Sequence, residues 1–178
     1  MSDIILDWAL ARVAYHRLCG KAPSFVGITP PRAPDDRKYI MVPVTQELAK
    51  YMKAVEYSNS RLSPEDDVRQ PQTAGYVVLM LDSEISDEDL ADKSAEEIIG
   101  MEIPTSTLSE YRLFSEIYFL MHSCYPDPDE RNWTLCPDSR RSDGPYTWSA
   151  SWSGGQFCIS GHRALYHNPN LRARRVWV

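Results

Sequence analysis

Four histidines and four cysteines are the residues of this 178-residue chain best equipped for chemistry. They are His16, His122, His162 and His167, with Cys19, Cys124, Cys136 and Cys158. Cys158 and His162 stand four apart, and a thiol activated by an imidazole is a nucleophile, so the pair is a candidate dyad for a hydrolase or transferase. No residue announces itself as the orienter of that imidazole. Cys124, Cys136, Cys158 and His162 together also form the donor set of a tetrahedral zinc site. Yet eleven residues separate Cys124 from Cys136, where a zinc knuckle has two to four. Four scattered cysteines are too few for a disulfide scaffold, which favours free thiols buried as small hydrophobes. The glycine pair Gly154-Gly155 lacks the spacing and the lysine of a phosphate loop. No motif asks for a cofactor, and a non-enzymatic role is the expectation.

A second set of candidates comes from charge. The formal charge of −6 averages two opposed segments. From Asp82 to Glu97 eight acids meet one lysine, a net of −7; from Arg131 to Val178 seven arginines meet two aspartates, a net of +5, with no lysine at all. Asp87, Glu88, Asp89, Asp92 and Glu96 are the candidate contacts for a basic partner, against the plainer reading of a solvated helical face. Arginine without lysine favours planar, bidentate or stacked contacts. With Trp133, Tyr146, Trp148, Trp152 and Trp177 nearby, the composition matches interface hot spots, or a site where arginines hold phosphates and rings stack on bases. Trp133, Arg140, Arg141, Trp152, Arg172 and Arg174 are therefore expected at a partner surface. The competing reading makes some tryptophans core and pairs the arginines with the acidic segment.

These residues need elements to position them. Residues 3–19 read as a helix capped by Ser2 and stopped by Gly20. The proline-rich stretch 21–39 is extended, and residues 40–44 suit a short strand. Thr45 starts a helix through about Ser58, and residues 59–74 read as a mobile loop. Gly75 opens GYVVLMLD, whose unbroken apolar run predicts a strand buried on both faces. Ser86 is positioned to cap a helix over 87–100. Ser106 or Thr107 caps another running to about His122, apolar nearly all round and hence central. Residues 125–145 read as a loop. The last third predicts an antiparallel meander, because glycine and Asn-Pro-Asn turns separate short β-forming segments.

Within that last third, Tyr146-x-Trp148-Ser149-x-Ser151, Gly154-Gly155-x-Phe157, Tyr166-x-Asn168 and Arg174-Arg175-Val176 resemble the C-terminal stretch of lectin-like domains of the Lcl C-terminal type. Ile103-Pro104-Thr105 with Leu108-Ser109-Glu110-Tyr111 is similar to the turn into that family's helix. The resemblance covers residues 101–178 and implies a fold similar to C-type lectins and the sulfatase-modifying family. It implies a binding module, with a sugar or peptide recognised through the loops around 125–145. Asn168-Pro169-Asn170 lacks a carboxylate, and no Glu-Pro-Asn or Gln-Pro-Asp tripeptide occurs, so calcium-dependent sugar binding is disfavoured.

Nineteen aromatics in a 43% apolar chain exclude a wholly disordered protein. No apolar run approaches the roughly 20 residues of a membrane span. The acidic N-terminus does not resemble a signal peptide, so a cytoplasmic location is expected, that of the host cell if the chain is phage-encoded. Together the readings predict one α+β domain, with N-terminal helices packed on a small twisted antiparallel sheet built mainly from the C-terminal third. The expected function is a phage or mobile-element accessory protein. It would dock on and inhibit a bacterial nucleic-acid-handling or defence complex through its acidic helix and Arg/Trp surface. A protein partner is expected, nucleic acid is a second partner through the basic third, and a membrane is not.

Overall fold

Asp7 and Gly20 bracket the first helix of the computed structural model, which describes residues 4–5, 7–54, 56–57, 60–61, 67–71, 75–128, 132–140 and 144–178. Helix α1 (Trp8–Cys19) follows strand β1 (Ile4–Ile5). The Asp7 carboxylate accepts from the amides of Ala9 and Leu10 at 2.9 and 3.1 Å, satisfying donors that a helix start leaves open. Gly20 ends the helix at a φ of 73°, a left-handed turn open to glycine. The expected start at residue 3 is corrected, because Ile4–Ile5 pair with the next strand instead; Ser2 lies outside the described residues. There follow β2 (Tyr39–Val44), α2 (Gln46–Ala54), the short pair β3 (Glu56–Tyr57) and β4 (Ser60–Arg61), and β5 (Tyr76–Leu81). The second helix thus stops at Ala54, short of Ser58.

Ser86 does not cap a helix. Residues 88–90 form one 3-10 turn, Asp92 takes a φ of 52°, and α3 (Ala95–Gly100) is capped by Ser94 in a reciprocal box with Glu97. Helix α4 (Leu108–His122) is capped in the same way by Thr107 with Glu110, and every residue from Leu108 to Tyr118 is buried. The supposed loop 125–145 contains a strand, β6 (Trp133–Arg140); β7 (Tyr146–Ser153), β8 (Gln156–Arg163), β9 (Leu171–Ala173) and β10 (Val176–Trp177) complete the chain.

Two four-stranded sheets result, in the orders β1-β2-β5-β10 and β8-β7-β6-β9. The fold is α+β, with all four helices ahead of the C-terminal strands. Strands β7 and β8 run antiparallel as expected, and the unexpected β6 pairs antiparallel with β7, but β9 lies parallel to β6, and β10 leaves to pair with β5. Residues 164–170 form turns rather than a strand. As expected, β5 is buried on both sides: Val78 and Met80 join the main core, Val77 and Leu79 a smaller one with Tyr39 and Met41. Helix α4 joins the two halves, since the main core holds its Leu113, Phe114 and Ile117 together with Val42 of one sheet and Trp148 and Ala150 of the other.

Strict alternation in β7 sorts its residues. Trp148 and Ala150 face the main core, while Thr147, Ser149 and Ser151 take the opposite face. Among the described residues no helix is long and apolar enough to cross a membrane.

Candidate functional site

The strand geometry separates the catalytic candidates. Residues four apart on extended chain lie roughly 13 Å from each other, and Cys158 and His162 both sit on β8. The dyad is therefore not formed, and the Cys158 thiol instead contacts the Gln156 carbonyl at 3.7 Å. The zinc set is not assembled either. Cys136 is fully buried in the main core, Cys124 is exposed after α4, and the described residues hold no group of three potential ligands.

His162 has a different partner. Its Nε2 lies 2.8 Å from the Ser149 Oγ on β7, and its ring stacks on Tyr166 at 5.3 Å between centroids and 7° between planes. Burial holds its pKa below the ordinary imidazole value, so the ring is neutral at pH 7. Ser149 is wholly buried, and among the described residues no carboxylate pairs with His162. A hydroxyl closed off from solvent, next to an imidazole without an orienting acid, fixes a ring rather than attacking a substrate.

Around His162 the surface is concave. A cavity of about 720 Å³ is lined by Glu96, Tyr146, His162, Arg163, Leu165 and Tyr166, among others. A smaller one of about 130 Å³ lies against Trp133, Ser160, His162, Asn168 and Asn170. A third of about 260 Å³ carries Glu96, Arg140 and Tyr146. The first and second share His162, the first and third share Glu96, Pro145, Tyr146 and Ala164, and the three adjoining cavities are together called the groove. The groove gathers four residues singled out for separate reasons: Glu96 from the acidic segment, Trp133 and Arg140 from the basic third, and His162 from the catalytic list.

The other charge candidates turn inward or toward each other. Glu88 pairs with Arg172 and Asp89 with Arg175, both at 2.8 Å, and the Asp87 carboxylate accepts the Arg175 amide at 2.5 Å. The Asp92 carbonyl lies 3.3 Å from His167. Arg174 and Trp152 are removed from the expected partner surface, at 1% and 6% exposure. Arg174 donates to Asp127 at 3.2 Å and to the Ser83 carbonyl at 3.0 Å, over the Phe114 ring. Trp152 stacks between Tyr125 and the Arg112 guanidinium. Arg141 lies outside the described residues. The competing reading, with arginines paired to the acidic segment, describes Arg172 and Arg175, whereas Arg174 pairs with Asp127 outside that segment.

Two buried polar networks escaped the sequence reading. Asp127 accepts from Tyr111 at 3.0 Å, Thr134 at 2.6 Å, the Ser86 amide at 3.1 Å and Arg174. In the second, residues 67–71 of the expected mobile loop dock against α4 and β6. The Arg69 guanidinium grips Glu110 bidentately and Asp138 singly, all at 2.8 Å. Ser109 donates to the Asp67 carboxylate at 2.5 Å, and Ser139 donates to it as well. Burial, added to by the Glu110 charge, pushes the Asp67 pKa up to about 7. A cavity of about 690 Å³ adjoins Arg69 and Tyr76, but Glu110 and Asp138 already hold Arg69, the one cation among its described lining residues. The serine alternation in TWSASWS was the available signal for Ser149; nothing local pointed to Asp127 or Asp67.

A scan against protein-family models, a search of curated proteins and a search of solved structures each found no match.

Proposed function

We propose that the chain is a binding protein whose recognition surface is the groove around His162. One observation carries this. Among the described residues of the basic third, Arg140 and Arg163 have no acidic partner within the described chain, and both line this groove. Arg172, Arg174 and Arg175 are each paired. Ring faces, two guanidiniums without a carboxylate partner among the described residues, a neutral imidazole and a carboxylate line a concavity of ligand-binding size, where a few polar groups fix orientation. A fragment mixture titrated into the protein and followed by NMR tests the assignment. Resonance changes should centre on His162, Tyr146 and Tyr166, whereas changes centred on another surface would remove the reading.

A second reading keeps the docking inhibitor of a bacterial complex, encoded by a phage or mobile element. It is favoured by the acidic turn, where the Glu88 and Asp89 side chains are 82% and 64% exposed while each holds an arginine on one side. A basic protein partner would meet their outer faces, with affinity falling as salt rises. Affinity indifferent to salt counts against it. The lectin-like alternative shares the groove through Trp133 and Arg140, and a glycan array without hits removes it.

A further inference from the structure

We propose that the His162 groove is a nucleoside-phosphate site, its arginines taking the phosphate and its rings the base; this rests on the groove being the recognition surface. The charge placement comes first. Arg163 faces Tyr146 across the β7–β8 pair, and Arg140 lies opposite Thr147, the next residue of β7. The two arginines thus stand at the same end of the second sheet, beside adjacent residues of β7, and line adjoining cavities that share Glu96, Pro145, Tyr146 and Ala164; no carboxylate among the described residues neutralises either. Arg140 spends its Nε on the Pro137 carbonyl at 3.4 Å, and a planar cation fork without a carboxylate is the group that binds phosphate oxygens bidentately. The neighbouring arginines show what this fold does when acids are at hand: Arg172 and Arg175 close onto Glu88 and Asp89.

The rings supply the second half. Tyr166 is 44% exposed, with one face against His162. A tyrosine pinned parallel on an imidazole is a rigid platform, and a base stacks on such a face with little regard to its identity. Ser149 holds the half-buried His162 ring through its Nε2, so the platform is built before any ligand arrives. Glu96 lines the same cavity without a basic partner among the described residues. Its carboxylate only accepts hydrogen bonds, which suits ribose hydroxyls or an exocyclic amine and drives the phosphate toward Arg140 and Arg163. A cavity of about 720 Å³ falls within the range of small-molecule sites. A neutral sugar or an apolar peptide would use the rings and leave both guanidiniums idle.

The test uses the full chain and isothermal titration with nucleoside 5′-monophosphates, the matching nucleosides, inorganic phosphate and a five-nucleotide single strand. At least one monophosphate should bind tenfold more tightly than its nucleoside and than phosphate, and more weakly as salt rises. Arg163→Ala and Arg140→Ala should each weaken it roughly tenfold, the scale of a hydrogen bond to a charged group. Tyr166→Ala should weaken monophosphate and nucleoside alike, and all three variants should keep the thermal midpoint because the residues are exposed. Tighter binding of the single strand, with the same dependence on Arg163, would identify a strand end as the source of the ligand; equal or weaker binding would identify a free nucleotide. Absence of nucleotide binding at millimolar concentration overturns the inference, as does binding indifferent to both arginine variants. If NMR fragments still gather at His162 in that case, the groove stands and only the ligand class falls.

Discussion

Asp67 is the residue whose setting is least ordinary. Its carboxylate is enclosed between two serine hydroxyls, near Glu110, Asp138 and Arg69, the one cation of this network among the described residues. Three ionised acids around one guanidinium would leave two negative charges uncompensated, and burial raises the Asp67 pKa to about 7. An unfolded aspartate titrates near about 4. Between these values the folded chain therefore holds a proton that the unfolded chain has released. Stability must fall as pH rises through this window, with a limiting slope of about 1.4 kcal/mol per pH unit, and level off above it. Asp67→Asn keeps the shape without the titration. Urea midpoints compared between pH 4 and pH 8 should drop more for the wild type than for the variant, and parallel curves would refute the assignment. His162 makes a milder point at the same scale. Its burial favours the neutral ring, which stacks flat on Tyr166 without an imidazolium's solvation demand.

At the scale of elements, two helix starts carry the same sentence. Ser94-Ala-Glu-Glu97 and Thr107-Leu-Ser-Glu110 are both capping boxes, each hydroxyl accepting from the third amide while the glutamate returns to the cap amide. Replacing either Ser94 or Thr107 by alanine should cost about 1 kcal/mol, measurable as a shift of the denaturation midpoint. Thr107→Ala should be the worse, since Glu110 also anchors Arg69 and Tyr76. The Thr107 start was legible because the helix behind it is apolar nearly all round. The Ser94 start was missed although its pattern was present, because Ser86 lay closer to the acidic run; Ser86 is consumed instead by Asp127 and Thr134. Strand β6 was illegible for a sharper reason. Pro137 and Asp138 read as turn residues, and the strand tolerates them where its register to β7 shifts between Cys136 and Arg140. The groove inherits that blindness. His162, Trp133, Arg140 and Glu96 were each visible as types, but no local pattern says that β9 returns parallel beside β6 and brings residues 168–171 to His162.

For the whole molecule the decisive feature is how opposite charges are distributed through the fold. The C-terminal tail carries both β9 and β10, so residues 171–177 link the two sheets. The acidic turn runs along this tail: Asp87 and Asp92 donate their amides to the carbonyls of Ala173 and Leu171, each at 3.1 Å, and Ser106 donates to Arg174 at 2.8 Å. A segment of −7 and a tail of arginines thus close on each other, and the polarity visible in the chain is largely spent inside it. The contacts differ greatly in worth. Glu88–Arg172 and Asp89–Arg175 have exposed carboxylates, where a pair contributes about 0–1 kcal/mol and is screened by salt. Arg174–Asp127 is enclosed, and removing one member strands the other charge in the core, at a cost of about 3–5 kcal/mol. Arg174 also bridges the chain after β5, the Phe114 face of α4 and the segment leading into β6. An Arg172→Ala, Arg175→Ala double variant should therefore unfold within about 1–2 kcal/mol of the wild type, and the gap should narrow in 0.5 M salt, taken as roughly enough to screen surface pairs. Arg174→Ala should lose the larger amount at every salt concentration. Chemical denaturation of the two variants side by side separates the cases, since equal losses would mean that the tail is held by its surface charge and not by the buried pair.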